Sequence, residues 1–326
     1  MRVLRRLAPF LLVCAVCGTC ATCAALAQQY PTHPIRLIIP MAAGGATDIL
    51  IRTLTPKMTE LLGQQIVVDN RPGANGVIGD EMAVKAAPDG STLHANSIAI
   101  SINPSLYKLN YDIVRDLAPV TLLASIDLVF GVNPQVPAKS VSELIALAKA
   151  QPGKLNYASF GIGSISHVAG EMFKQASNTQ IVHVAYKSSP LAVQETIAGQ
   201  TQFVFGGTSY MLPQVRAGRL RGIAIGSLQR SPLAPEIPTV SESGLPGFDV
   251  TAWFGMWVPA KTPQPVIRRI HEVVVMALTH PEVRARVEEL GYKPGGDSPE
   301  AFGKFVRAEV DKFARVIKTA GVKPEG

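Results

Sequence analysis

Residues 34–50 read "PIRLIIPMAAGGATDIL", and the fold turns on what the Ala-Ala-Gly-Gly in their middle does. "PIRLIIP" (34–40) has the apolar density of a buried strand. "ATDILIRTLTPKMTELLG" (46–63) has helical apolar spacing and stops at Gly63. A glycine pair between strand and helix permits a sharp turn. It also lets backbone N–H groups at a helix N-terminus face an anion. Taken by themselves, these residues are consistent with both readings.

Working outward, the alternation repeats. "QIVVDN" (65–70) reads as a strand, "RPGANGVIG" (71–79) as a turn-rich link, "DEMAVKAA" (80–87) as a helix and "STLHANS" (91–97) as a strand. Further on, the strand candidates are 127–133, 155–160, 181–186, 202–207, 220–227 and 250–260. Helices are expected at 140–153, within 161–177 and at 191–200. Two long amphipathic helices close the chain, "QPVIRRIHEVVVMALTHPEVRARVEEL" and "PEAFGKFVRAEVDKFARVIKTAG". Short strands separated by helices predict an α/β fold with crossover connections. Three strand-to-helix junctions carry glycine or small hydroxyl residues at the strand's carboxyl end, where open α/β sheets bind ligands. Three such junctions in two halves of one chain point to a cleft between lobes.

The first residues have a different character. Arg2, Arg5 and Arg6 precede an apolar run that ends at Ala25-Leu26-Ala27, a small-x-small pattern. This reads as a secretory signal peptide over 1–27, cut before Gln28, with a membrane anchor as the rival. The four cysteines, Cys14, Cys17, Cys20 and Cys23, all lie inside it. Their C-x-x-C spacing is therefore not read as a metal or redox site. Lipid attachment at Cys20 or Cys23 is disfavoured by the preceding Thr19 and Thr22. The mature chain has no thiol and must be held together by its core. The net charge is +7 for the whole chain and falls to +4 without the three leader arginines. The basic residues are scattered, with no basic run carrying interleaved aromatics, so nucleic acid is not expected as a partner.

A set of motifs then occurs in a fixed order. They are "YPTHPIRLIIPMAAGGATDILIR", "VVDNRPGANGVIG", "AAPDGSTL", "INPSLYKLNYD", "LNYASFGIGSISHVAGEMFK", "HVAYKSS", "PQVRAGRLRGIAI", "PEIPTVSESGLPGF" and "AWFGMWVPAKTP". Together they resemble the Bug receptors, the periplasmic substrate-binding components of tripartite tricarboxylate transporters. The resemblance spans essentially the whole mature chain. It implies a two-lobed periplasmic-binding-protein (Venus flytrap) architecture with a double hinge crossing. Lobe 1 is expected at 28–128 and 250–326, and lobe 2 at 129–249. It further implies a periplasmic monomer holding a small carboxylate between its lobes and delivering it to membrane components of the transporter. No cofactor, metal or catalysis is implied. A binding protein feeding a two-component sensor would share the same fold and cleft.

The residues offer a carboxylate site without an arginine. In the first loop, Ala43, Gly44, Gly45 and Thr47 open a helix whose first-turn N–H groups lack intrahelical partners and lie at the positive end of its dipole. Asp48 would repel an anion, and is read as a brace for the helix start or the loop. In the second loop, Ser159, Ser164 and Ser166 supply hydroxyls, and Gly161 and Gly163 allow close backbone approach. His167 is read first as a backbone-bonded histidine at the helix start, with ligand contact as the alternative. Tyr186 and Lys187 follow a strand end; Lys187 is either a solvated lysine or a counter-charge for the anion. Trp253 and Phe254 either wall the cleft or pack the hinge.

One departure from the family matters. Many Bug receptors read Phe-Asp-Asn in the third loop, and many read "YKG" where this chain has "YKS". Here the third loop is Phe205-Gly206-Gly207-Thr208-Ser209, with Thr208 and Ser209 as hydroxyl candidates. Without the acid, a ligand ammonium would be buried unpaired, which is costly. The ligand is therefore expected to lack a cationic group and to be a dicarboxylate. The two glycines leave room for a bulkier, even aromatic, body against Trp253 or Tyr210.

Enzyme readings fare poorly. Gly161-x-Gly163-x-x-Ser166 resembles a degraded dinucleotide fingerprint but lacks the acid expected about 20 residues on. No phosphate loop or G-x-S-x-G elbow is present. The six histidines show no paired metal-ligand spacing. Ser164 with His167 is a weak basis for a hydrolase pair.

Overall fold

In the computed structural model, which describes residues 30–322, the opening stretch is a strand, a turn and a helix. β1 (Ile35–Ile39) leads through the Ala-Ala-Gly-Gly turn into α1 (Ala46–Leu62). The segment read as a signal peptide, with its four cysteines, lies outside the described residues. β2 (Ile66–Asn70), a 3-10 turn (Ala74–Gly76), α2 (Val77–Val84), β3 (Thr92–Ser97), α3 (Ala99–Leu106) and the short α4 (Ile113–Asp116) follow. β1 lies between β2 and β3, parallel to both. A strand with neighbours on each side and helices over its faces is apolar almost throughout, as "IRLII" is.

β4 (Leu117–Val132) spans both halves of the molecule. Its residues Leu117–Asp127 pair antiparallel with β9 (Thr251–Pro259). From Leu128 to Val132 it pairs instead with β7 (Phe203–Gly207) and, over Val129–Val132, with β8 (Arg221–Ile225). Between these lie α5 (Val141–Ala150), β5 (Asn156–Ser159), α6 (Ile165–Ser177), β6 (Val182–Ala185), α7 (Ser189–Ile197) and α8 (Thr208–Arg216). β5 is parallel to both β6 and β7. The strand order is β2-β1-β3-β9-β4-β7-β5-β6. The chain returns beside its own crossing point: Gly226 N–H donates to Leu128 O, Val250 N–H to Gly226 O, and Thr251 then stands opposite Asp127. The architecture is a two-lobed α/β fold, crossed twice at the hinge, as the resemblance implied.

The last segment differs from its reading as two helices. His280 and Pro281 divide the first of them into α9 (Gln264–Thr279) and α10 (Pro281–Glu289). Proline bars its predecessor from helical geometry, and His280 is extended at φ −61°, ψ 128°. β10 (Tyr292–Pro294) then pairs with β4, and α11 (Pro299–Ala320) closes the described chain. Ser298 caps α11 through its side chain, and Gly321 ends it in the left-handed region.

Each half has an aromatic core. Phe130, Phe173, Phe203 and Phe205 pack within 4.3–6.4 Å in one. Trp253, Trp257 and Phe302 pack within 5.1–6.2 Å in the other. Each such ring, fully buried, contributes roughly 1.5–3 kcal/mol. Trp253 also donates its indole N–H to Glu309 Oε2 at 2.8 Å. It therefore pins α11 and does not wall the cleft, whereas Phe254, on the opposite face of β9, does line it.

Candidate functional site

The first loop is held from behind. Gly44 sits at φ +79°, in the left-handed region, where its lack of a Cβ matters. Its N–H donates to Asp48 Oδ2 at 3.0 Å. Arg52 Nε donates to both Asp48 oxygens at 2.9 and 3.0 Å. Asn70 Nδ2 bridges Asp48 Oδ1 and the Met41 carbonyl, each at 3.1 Å. Burial alone would raise the Asp48 carboxyl, but the hydrogen bonds from Arg52, Gly44 and Asn70 outweigh it and hold the group below the usual carboxylate range. Asp48 thus braces the loop with its charge already compensated. Gly45 caps α1 with no side chain to accept from the helix, so the first-turn N–H groups remain available.

The second loop is bonded to itself. Ser164 caps α6, accepting from His167 N–H and donating to the Gly161 carbonyl at 2.7 Å. Ser166 Oγ accepts from Phe160 N–H at 3.0 Å. His167 Nδ1 accepts from Gly163 N–H at 3.1 Å. Ser159 Oγ meets His183 Nε2 at 2.6 Å, and the His167 and His183 rings stack with centroids 3.9 Å apart. Burial lowers both imidazoles, His167 to about 4 and His183 to about 3; Lys174 adds to the first and His167 to the second. Both are neutral at pH 7.

Between the halves lies a cavity of about 150 Å³. The starts of five helices line it: Gly45–Thr47 of α1, Ile98–Ala99 of α3, Ser164–Ile165 of α6, Ser188–Pro190 of α7, and Gly207 with Tyr210 of α8. Its walls are otherwise mostly apolar, with Ile126, Leu128 and Phe254 from the crossing strands. Among the described residues on its wall, no Asp or Glu occurs and Lys187 is the one charged side chain. Lys187 is exposed. Burial raises the Tyr210 phenol above its ordinary range, so it keeps its proton and can donate. The two sides of the cleft meet where Gly163 packs against Leu106 and Asn75 of the other half. A Cβ at Gly163 would lie 2.6 Å from Leu106 Cδ1 and 3.0 Å from Asn75 Nδ2.

Of the residues singled out in the sequence, Ala43, Gly45, Thr47, Ser164 and Lys187 share this wall. Gly44, Gly161 and Gly163 shape the turns behind it. Ser159, Ser166 and His167 hydrogen-bond inside the second lobe. Tyr186 and Ser209 are not on the wall, and Thr208 donates to the Gly291 carbonyl at 3.2 Å. The room expected over Gly206 and Gly207 is already filled. A Cβ at Gly206 would meet Met211 at 2.7 Å and Tyr210 at 2.9 Å, and one at Gly207 would meet Ile126 and Tyr210 at 3.2 Å. Sequence reading missed Asn75, Ser97–Ala99, Phe160 and Ser188. Ser97 ends β3 just before α3, the same strand-to-helix junction that marked the other loops, but without glycine to signal it.

Comparison with known proteins agrees with this geometry. A family model described as the tripartite tricarboxylate transporter family receptor matches residues 50–322. Protein BugT of Bordetella pertussis is 33% identical over 303 residues, covering 91% of this chain and 92% of its own. The structure of R. palustris Rpa4515 with adipate has a TM-score of 0.86 at 30% identity, covering 91% of this chain and 100% of that one. MatC from Rhodopseudomonas palustris with bound malate gives 0.82 at 29% identity, covering 88% and 100%.

Proposed function

The chain belongs to the tripartite tricarboxylate transporter receptor family, a family of solute-binding proteins and not of enzymes, and from that premise we propose that it captures a small dicarboxylate without a cationic group. The observation that carries this is the sign of the cavity. Five helix starts and one lysine supply positive potential, the uncapped start of α1 supplies free N–H donors, and no carboxylate on the wall stands ready to receive an ammonium. The relatives that hold adipate and malate support the same class. Tyr210 and Met211 fill the space over Gly206–Gly207, which favours an aliphatic body over an aromatic one.

In this reading the protein works in the periplasm after loss of residues 1–27, as a monomer. It hands its ligand to the membrane components of a tripartite tricarboxylate transporter. Among the described residues no helix is long and apolar enough to cross a membrane. Lobe 1 comprises 28–128 with 250–326, and lobe 2 comprises 129–249. The change of partners along β4 at Asp127/Leu128 supports that division. The ligand sites are the Ala43–Thr47 loop, Ser164 and Lys187 on the wall, with the remaining second-loop and third-loop residues shaping it. A ligand touching both lobes stabilises the closed state, because only there are the α1 N–H groups engaged together with the Lys187 and Tyr210 donors of the other half.

The test is a thermal-shift panel of aspartate, glutamate, succinate, malate, citrate, adipate, nicotinate and terephthalate, followed by calorimetry. A ligand at 100 times its Kd adds about 2.7 kcal/mol. Stabilisation is expected from succinate, malate or adipate. Stabilisation confined to aspartate and glutamate would overturn the reading.

A further inference from the structure

Three consecutive residues beside the hinge bond to the start of one helix in each half and to the crossing strand. Gly291 offers its carbonyl to Thr208 Oγ1 at 3.2 Å, on the first residue of α8. Tyr292 donates its hydroxyl to the Ala46 carbonyl at 2.8 Å, on the first residue of α1. Lys293 Nζ donates to Asp127 Oδ1 at 3.0 Å, and Asp127 also accepts from Ser227 Oγ at 3.0 Å. Asp127 is the last residue of β4 that pairs with β9, so its carboxylate sits at the crossing itself. β10 is anchored from the next strand position on, with Tyr292 opposite Ile126 and Lys293 opposite Ser125.

We propose that Tyr292 is a positioning residue for the ligand: through Ala46, and together with the Gly291–Thr208 bond, it sets the starts of α1 and α8 relative to each other across the cleft. This rests on the cavity being the carboxylate site. The Tyr292 ring is 2% exposed and meets Phe254 edge-on, with centroids 5.6 Å apart. Phe254 is a wall of the cavity, so the phenol stands directly behind the site. The Ala46 carbonyl belongs to the first turn of α1, whose N–H groups face the ligand. A bond on that carbonyl fixes where those donors point without touching the ligand. Gly291 is suited to its place on two counts. Its φ is +88°, and a Cβ there would lie 2.5 Å from Thr208 Oγ1. Any side chain at this position would push the start of α8 away. One short strand thereby holds a donor loop from each lobe against the same pivot.

The test compares the full mature chain with Tyr292→Phe, which keeps the ring and its packing and removes only the hydroxyl. Calorimetry with succinate, malate and adipate reads affinity, thermal melting reads stability, and hydrogen exchange reads the amides of residues 49–51, the first in α1 with intrahelical partners. The expected result is an affinity about 5-fold weaker, the worth of one hydrogen bond, with faster exchange at 49–51. A role in packing alone would lower the melting temperature and leave both affinity and local exchange unchanged, and that outcome overturns the inference. If the unsubstituted protein binds none of the three acids, the dicarboxylate reading has failed and the positioning claim falls with it. If it binds them, a Tyr292→Phe protein with unchanged affinity overturns the positioning claim alone.

Discussion

The first and second loops look alike in sequence. Each joins a strand to a helix, and each carries two glycines followed by a hydroxyl residue. Folded, they do opposite things. The first loop has an uncapped helix start, braced from behind by Asp48, with its donors facing the cavity. The second loop satisfies its own polar groups through Ser164, Ser166 and His167. Only its rim, at Phe160, Ser164 and Ile165, reaches the wall. Glycine therefore marks where a backbone can approach a ligand, but the neighbouring side chains decide whether its N–H groups are still free to bind one.

The sharpest way to break this contrast is Gly45→Val. Gly45 has an ordinary φ of −78°, and a Cβ there would meet only the Ala42 carbonyl, at 3.4 Å. The chain should fold, and the added side chain should occupy the cavity. Calorimetry should show affinity reduced on the order of 100-fold or more, with melting little changed. Wild-type affinity would remove the first loop from the site.

Acid should attack the second loop before the first. Below pH 6.5 the unfolded chain protonates its histidines, whereas folded His167 stays neutral until about pH 4. The folded state therefore loses stability as pH falls from 6.5 through about 4, by on the order of 3 kcal/mol for His167. Asp48, whose carboxyl is lowered, loses its contribution only below the ordinary carboxylate range. Denaturant unfolding between pH 7 and 4 measures the slope. His167→Asn retains an acceptor for Gly163 N–H and should reduce the slope without abolishing it, because buried His183 is lowered as well; an unchanged slope would refute the assignment.

The smallest effects separate the two hydroxyls. Thr47→Ala should weaken binding by about 1 kcal/mol and leave stability nearly constant. Ser164→Ala removes a helix cap and should cost about 1 kcal/mol of stability, with less change in affinity. The reverse pattern would mean that the roles of the two loops had been exchanged.

The strand-turn-helix units were legible wherever apolar periodicity was strong. The 34–40 strand overruns β1 by one residue at each end, and the 46–63 helix overruns α1 by one residue at its end. β4 was read only at 127–133, because Pro119, Ser125 and Asp127 interrupt its apolar run and two register shifts disturb its pairing. α8 was missed because Pro213 lies inside it. The site was legible where glycine announced a loop, and silent at Ser97–Ala99, where isoleucine and alanine line the cavity. The role of Tyr210 was hidden for another reason. Two glycines read as empty space, and only the fold shows that their neighbour three residues on lies over them.

The strand order carries a consequence for assembly. β9 is the central neighbour of both β3 and β4 in the first half of the sheet, yet it is encoded after every strand of the second half. The sheet joining β5, β6, β7 and β8 to the end of β4 uses residues that lie near one another in the chain, and local contacts form early. The β3–β4 gap stays open until residues 251–259 arrive. The second half is thus the first that a growing or threading chain can complete. Until the return crossing is made, the other half presents two strands with bare edges, the state in which an α/β chain is most prone to pair with another copy of itself.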